Sequence, residues 1–195
     1  MMKWRFCVPI LALGVLSGCI VQSINPYFTD DMRIKLPEIQ GKWQMVDKDS
    51  KDNPKVKPWE FGEEKIMTWD EEQASSPIEA AYFKVGGTYY MDGIAGDVEN
   101  AVSNYWKMTI IPVHVLMKVE LSGDKLVLTP LDLNQIVKLT ESETKILKAV
   151  KGIGKDSNMI FVSEPSEWVE FLKTNENNKD IFLSDGAIHF RKIKE

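Results

Sequence analysis

The stretch that decides the fold is residues 113–131, which read VHVLMKVELSGDKLVLTPL. In its first half an apolar side chain occupies every second position, with mainly polar residues such as Lys118 and Glu120 between them. A period of two predicts a β-strand with one buried face. The Ser-Gly-Asp sequence at 122–124 favours a turn, and the apolar stretch 125–131 predicts the returning strand. We therefore predict an antiparallel hairpin here.

Further strands are predicted upstream of this hairpin. They cover 41–46, 65–69, 78–85, 88–94 and 106–110. Gly86 and Gly87 separate the third strand from the fourth, and paired glycines tolerate the positive φ of two-residue hairpin turns. The fifth strand alternates apolar residues and stops at Pro112. The pattern is typical of a meander of antiparallel strands.

Helices are predicted after residue 131. The predicted elements are helices over 134–140, 142–150 and 163–173 and strands over 159–162 and 187–193. Ser142 and Ser163 are candidate N-caps. Trp168, Phe171 and Leu172 follow the spacing i, i+3 and i+4, which gives the last helix one apolar face. Strands joined by tight turns and followed by helices indicate a mainly β chain, a barrel or strongly curved antiparallel sheet with short C-terminal helices.

The composition is that of one globular domain. The chain has 195 residues, of which 44% are hydrophobic, with 24 Lys+Arg against 29 Asp+Glu, two His and two Cys. It is too apolar for a disordered protein and too poor in cysteine for a disulfide scaffold. A net charge of −5 argues against a nucleic-acid partner, since nucleic-acid binders carry a basic face.

The N-terminus has the pattern of a signal peptide. Lys3 and Arg5 precede an uncharged, mostly apolar run over 6–16. A membrane-spanning helix needs roughly 20 apolar residues, so this run is too short to span and has the length of a signal-peptide core. We predict that the segment directs export.

The run ends in Leu16-Ser17-Gly18-Cys19, which resembles the lipobox of bacterial lipoproteins. The resemblance implies that residues 1–18 are removed as a lipoprotein signal peptide and that Cys19 carries the lipid. The alternative is an ordinary secretory signal that happens to end in cysteine. In such lipoproteins an aspartate after the cysteine usually marks retention in the inner membrane. Ile20 stands there instead, which favours an outer-membrane protein facing the periplasm.

Lipidation would leave the mature protein without a free thiol, because Cys7 departs with the signal peptide. Disulfides, cysteine-ligated metals and a cysteine nucleophile are then excluded. Removing residues 1–18 also changes the net charge from −5 to −7, so the lipid rather than headgroup attraction would hold the protein at the membrane. We predict a lipidated tether over 19–36 and a single domain over 37–195.

Gly41-Lys42-Trp43, at the start of the first predicted strand, resembles the G-x-W signature of the lipocalin and wider calycin group. The resemblance implies a lipocalin-like up-and-down barrel that takes a small apolar ligand in its mouth. It also implies that Trp43 packs at the closed end of the barrel under a late arginine, for which Arg191 is the candidate through a cation–π contact. The chain lacks a second lipocalin motif, and its main helix precedes the last strand. A less regular α+β fold is the alternative.

No motif for catalysis, cofactor binding or metal binding is found. His114 and His189 fall on the more polar faces of their strands, and the acidic cluster 70–72 lacks the spacing of a calcium loop. The glycines of 152–155 fit neither a Walker loop nor a dinucleotide fingerprint, and no G-x-S-x-G occurs. We therefore predict a protein that is not an enzyme, with no cofactor and no metal.

Aromatic residues are the remaining feature of the sequence that bears on function. Tyr82, Tyr89, Tyr90 and Trp106 are candidate ligand-binding residues, because ligand pockets are mostly apolar and aromatic. The same residues suit a hydrophobic core or a partner-binding face. The leading hypothesis is a lipid-anchored envelope protein that binds a small apolar ligand or lipid. The alternative is a structural or assembly lipoprotein that docks on another envelope protein. A ligand needs a cavity, whereas docking needs an exposed apolar patch.

Overall fold

The structure is a computed structural model that describes residues 20–47, 56–69, 75–96, 111–142, 147–151 and 159–194. The described part is mainly antiparallel β, with a closed barrel of eight strands and two short helices. The predicted fold class, an antiparallel lipocalin-like barrel with short C-terminal helices, is confirmed. The signal residues 1–18, Cys19 and the predicted strand 106–110 lie outside the described residues.

The described residues form twelve strands and two α-helices. The described strands are β1 (Gln22–Ser23), β2 (Arg33–Ile34), β3 (Gly41–Val46), β4 (Trp59–Phe61), β5 (Lys65–Trp69), β6 (Ser75–Val85), β7 (Thr88–Ala95), β8 (His114–Ser122), β9 (Lys125–Pro130), β10 (Ala149–Lys151), β11 (Met159–Phe161) and β12 (Ile188–Lys192). The helices are α1 (Leu133–Ser142) and α2 (Pro165–Thr174). Single 3-10 turns lie at Asp30–Met32, Pro37–Ile39, Lys179–Ile181 and Ser184–Gly186.

The barrel closes because β12 bridges the two ends of the meander. Strands β3 to β9 pair in sequence order, and β12 pairs antiparallel with β3 on one side and with β9 on the other. The predicted hairpin 113–131 is formed by β8 and β9, and Gly123 turns the chain with φ of +61°. Gly86 turns the β6–β7 hairpin with φ of +56°. Both glycines adopt a backbone conformation that other residues rarely tolerate.

Two hydrophobic clusters stabilise the fold, one inside the barrel and one outside it. Tyr82 and Met91 face each other across β6 and β7 and belong to the interior cluster. Phe83 and Tyr90, the next pair in register, belong to the outer cluster. There the barrel wall packs against α2, whose Trp168 is fully buried. Neighbouring residues on one strand therefore pack in two different hydrophobic clusters, one inside and one outside the barrel.

The sheet extends beyond the barrel at the start of β8. β1 pairs antiparallel with β8 at Gln22↔Val115, and β11 pairs parallel with β1. β10 completes the extension by pairing with β11. The predicted helix over 142–150 is therefore wrong where it is described, because Ala149–Lys151 is strand β10. Pairing with a distant strand overrides local propensity here.

Residues 20–36 do not form the predicted tether. Val21, Tyr27 and Phe28 are buried in the outer cluster, and β1 and β2 pair with barrel strands. The backbone N–H of Tyr27 donates to the buried carboxylate of Asp92 at 3.0 Å. A segment with these buried contacts is part of the domain, so the domain begins by Ile20 rather than at residue 37.

Helix α2 confirms the predicted apolar face but starts two residues later than predicted. Trp168, Phe171 and Leu172 are buried together. The N-cap is Glu164 rather than Ser163. The Ser163 hydroxyl instead accepts a hydrogen bond from Lys148 N at 2.6 Å, which ties the helix to the β10 segment.

Candidate functional site

One end of the barrel is closed around Trp43. Its side chain is fully buried, and its Nε1 donates to the carbonyl oxygen of Ile39 at 2.7 Å. Ile39 belongs to the 3-10 turn that leads into β3, and it is also fully buried in the interior cluster. Gly41, between them, has φ of +120°. This turn therefore seals the barrel end at which β3 begins.

The cation over the Trp43 ring is Lys192 and not Arg191. Lys192 Nζ lies 5.1 Å from the ring centroid and donates to the carbonyl oxygen of Glu38 at 2.8 Å. In the β12–β3 register Lys192 is paired with Trp43, whereas Arg191 is paired with Gln44. Successive side chains point to opposite faces of a strand. The prediction of Arg191 is therefore off by one residue.

The half of the barrel next to Trp43 is filled. Trp43, Ile66 and Leu126 expose none of their surface, so no water-sized space adjoins them. Phe61, which pairs with Gly41 at the start of β3, packs edge to face on Phe190 with the ring centroids 5.6 Å apart. The space directly around Trp43, Ile66 and Leu126 is therefore closed to a ligand.

Two hydrogen-bond donors in the barrel interior have no partner among the described residues. They are Trp59 Nε1 and the Tyr82 hydroxyl, and both atoms are buried. The Trp59 ring lies 5.1 Å from the ring of Phe190. Burial raises the pKa of Tyr82 well above its ordinary value of 10.0, so the phenol keeps its proton and remains a donor. Partly buried apolar residues pack around the interior cluster, among them Met45, Met117 and Ile188.

Tyr89 and Tyr90 contribute to a different site, a cleft on the outside of the barrel. The cleft has a volume of about 300 Å³ and lies between β7, β8 and the segment 176–182. Tyr89 is 38% exposed, and Lys84 Nζ lies 4.9 Å from its ring centroid. Tyr90 is buried, and desolvation raises the pKa of its phenol. Charged residues such as Glu176 line much of this cleft.

The four aromatic residues predicted to bind a ligand do not converge. Tyr82 lies inside the barrel, while Tyr89 and Tyr90 line the outer cleft. Trp106 lies outside the described residues. Trp59 was missed, although its place opposite Trp43 in the β3–β4 register marks it as an interior residue.

The two histidines lie on separate strands. His114 Nδ1 is 2.8 Å from Asp92 Oδ1, and the same carboxylate accepts from Tyr27 N. Burial and the nearby Asp92 raise the pKa of Tyr27 well above its ordinary value. His189 lies between Val46 and Val127 in the sheet. Within the described ranges, no three His, Cys, Asp or Glu side chains cluster in a way that could hold a metal ion. Asp92 and His114 fasten the N-terminal segment to the barrel wall.

Comparisons with known proteins give no relative. No protein-family model, curated protein or solved structure matches the chain. Across the described segments, no helix has the length and apolar character that crossing a membrane requires. Function is therefore inferred from the chain's own residues.

Proposed function

We propose that this protein is a lipid-anchored lipoprotein of the bacterial envelope, whose barrel binds a small apolar molecule or lipid without catalysing a reaction. The lipobox Leu16-Ser17-Gly18-Cys19 supports lipid attachment at Cys19. The Ile20 that follows supports the outer membrane as its location. The eight-stranded barrel is an architecture that can hold one small ligand.

The observation that carries the binding proposal is the pair of unpartnered donors, Trp59 Nε1 and the Tyr82 hydroxyl. A buried polar group without a partner costs about 1–3 kcal/mol, and native proteins leave few of them. An acceptor oxygen on a ligand is the kind of partner that each of these two donors lacks. The surrounding apolar residues suit the rest of such a molecule, because ligand pockets are mainly apolar with a few well-placed polar groups.

The ligand is expected to enter from the side away from Trp43. Met45, Met117 and Ile188 are only partly buried and adjoin the interior cluster. Methionine side chains adapt to irregular apolar shapes, which suits a site for an acyl chain or a similar molecule. A fatty acid combines both required features, an apolar chain and an acceptor carboxylate.

The test compares Tyr82→Phe with Tyr90→Phe. Both changes remove one buried hydroxyl, but only Tyr82 faces the barrel interior. The probe is cis-parinaric acid, a fluorescent fatty acid, titrated into delipidated protein that carries Cys19→Ala. Tyr82→Phe should weaken binding about tenfold through the loss of one hydrogen bond, and Tyr90→Phe should leave the affinity unchanged.

Native mass spectrometry of protein purified from the envelope shows in addition whether a natural ligand is retained. A bound mass that is lost in Tyr82→Phe would support the proposal. A wild-type protein that carries no ligand and does not bind the probe would refute it. Equal weakening by both tyrosine substitutions would also refute the interior site.

Docking on another envelope protein is the second candidate function. It is favoured by exposed apolar residues outside the barrel, among them Ile24, Ile111 and Val150. Crosslinking in whole cells tests it: a specific adduct that Val150→Glu abolishes would support docking. The absence of any adduct would count against it.

A further inference from the structure

The sheet extension formed by β1, β11 and β10 has a largely apolar face, turned away from the outer cluster, on which Ile24 and Val150 are exposed. Val21 and Ser23 point inward and are buried, so Ile20 and Ile24 alternate to the other side. The register then places further residues on that same side. We call this surface the flare face; it consists of Ile20, Ile24, Val115, Val150 and Ile160, with Gln22 as a polar residue among them.

The flare face exposes large apolar side chains to solvent. Val150 is 57% exposed and Ile24 is 41% exposed. Ile111, which lies on the approach to β8, is 66% exposed. Soluble monomers rarely leave such residues grouped on one surface, and a group of this kind marks a contact with a partner or a membrane.

The position of Cys19 indicates which partner this is. Cys19 is bonded directly to Ile20, so their Cα atoms lie about 3.8 Å apart. Ile20 is held in the sheet by a β-bridge to Asp132. With no tether between the cysteine and the sheet, a lipid on Cys19 would bring the bilayer to the edge of the flare face.

We propose that the flare face lies on the bilayer, with Ile24 and Val150 in the interfacial layer of the membrane. This proposal depends on lipidation of Cys19, the first part of the proposed function. Buried apolar area strengthens the binding of lipid-anchored proteins to membranes. An acidic chain gains nothing from anionic headgroups, so apolar contact is the interaction that would orient this domain. The barrel would then have a fixed orientation on the membrane.

The experiment uses the lipidated full-length protein in vesicles of phosphatidylethanolamine and phosphatidylglycerol. Apart from acylated Cys19 the mature chain has no cysteine, so one introduced cysteine can be labelled specifically. Ile24→Cys and Val150→Cys test the flare face. Ile193→Cys is the matched control, because Ile193 is also an exposed isoleucine, 38% accessible, at the barrel end near Trp43. Each is labelled with the environment-sensitive dye NBD.

The expected result is a blue-shifted emission and several-fold stronger quenching by spin-labelled lipids at Ile24 and Val150 than at Ile193. Equal quenching at all three positions would overturn the orientation. A third outcome is that the labels at positions 24 and 150 are shielded from aqueous iodide but are not quenched by the lipids. A protein, either a second copy or another partner, would then cover the flare face, and the proposed contact with the bilayer would be overturned. The mass of the purified protein shows directly whether Cys19 carries a lipid. A lipidated protein that fails the quenching test therefore contradicts the orientation, whereas an unlipidated protein contradicts the lipid anchor of the proposed function.

Discussion

The side chain of Trp43 makes three interactions, and tryptophan is the only aromatic residue that can make all three at this position. Its ring fills the barrel end, its Nε1 donates to Ile39, and its face lies below the Lys192 ammonium. The hydrogen bond is essential for an indole at this depth, because a buried N–H without a partner is costly. Trp59, on the neighbouring strand, lacks such a partner among the described residues. The two tryptophans therefore differ in that the indole N–H of Trp43 has a hydrogen-bond partner among the described residues and that of Trp59 has none.

Trp43→Ala should lower the free energy of unfolding by about 3–5 kcal/mol, because it removes a fully buried aromatic ring and leaves a cavity. Urea denaturation followed by circular dichroism measures this change. Tyr89→Ala is the matched control, since Tyr89 is exposed, and its effect should be much smaller. An unchanged urea midpoint for Trp43→Ala would contradict the assignment of Trp43 to the closed end.

The residue-scale predictions succeeded where alternation alone decided the outcome. Adjacent residues of a strand point to opposite faces, and Tyr82 and Phe83 accordingly belong to the interior and the outer cluster. The prediction of Arg191 as the cation above Trp43 came from the lipocalin resemblance. Alternation along β12 places Lys192, not Arg191, on the face of the buried Phe190, and the β12–β3 register pairs Lys192 with Trp43.

Long strands with glycine turns could be predicted closely, but short ones could not. β3 and β5 have their predicted bounds, and the β6–β7 and β8–β9 hairpins form where glycines mark the turns. β1 and β2 have two residues each. A run that short contains no measurable period, so the segment was interpreted as a tether. β10 was missed for the same reason.

The attachment of α2 to β10 predicts a dependence of stability on pH. Glu167 accepts hydrogen bonds from Lys148 Nζ at 2.6 Å and from Glu164 N at 2.8 Å. These bonds, that of Lys148 first, lower the pKa of Glu167 below its ordinary value of 4.5. A carboxyl whose pKa is lower in the folded state stabilises the fold at pH values above its unfolded pKa. That stabilisation is lost as the pH falls through the lower folded value.

Glu167→Gln should therefore lower the melting temperature at pH 7 and have a smaller effect at pH 3, because protonation of the wild-type carboxyl increases as the pH falls towards its folded pKa. Scanning calorimetry at both pH values measures the difference. Glu170→Gln on the exposed side of the same helix is the control and should not change the melting temperature at either pH. A deficit of Glu167→Gln that is as large at pH 3 as at pH 7 would contradict the role of the charge.

At the scale of the whole molecule, the barrel has two cores because helices and an extended sheet cover part of its outer wall. Tyr82 packs in the inner core and Tyr90 in the outer one. The sequence places adjacent residues on opposite faces, but it does not reveal that both faces are buried. This is why the predicted aromatic site divides between the interior and the outer cleft, and why Trp59 could be recognised only from the closed barrel.

The last prediction concerns the anchor, on which the orientation of the whole molecule depends. Cys19→Ala should abolish incorporation of labelled palmitate and leave the unprocessed precursor. The lipobox cysteine is the residue to which the lipid would be attached, and the signal peptide would be cleaved directly before it. Cys7→Ala is the matched control, since Cys7 lies inside the signal peptide and should change neither labelling nor processing. Metabolic labelling followed by gel electrophoresis measures both outcomes. Labelling that persists in Cys19→Ala would refute lipidation and with it the proposed contact between the flare face and the bilayer.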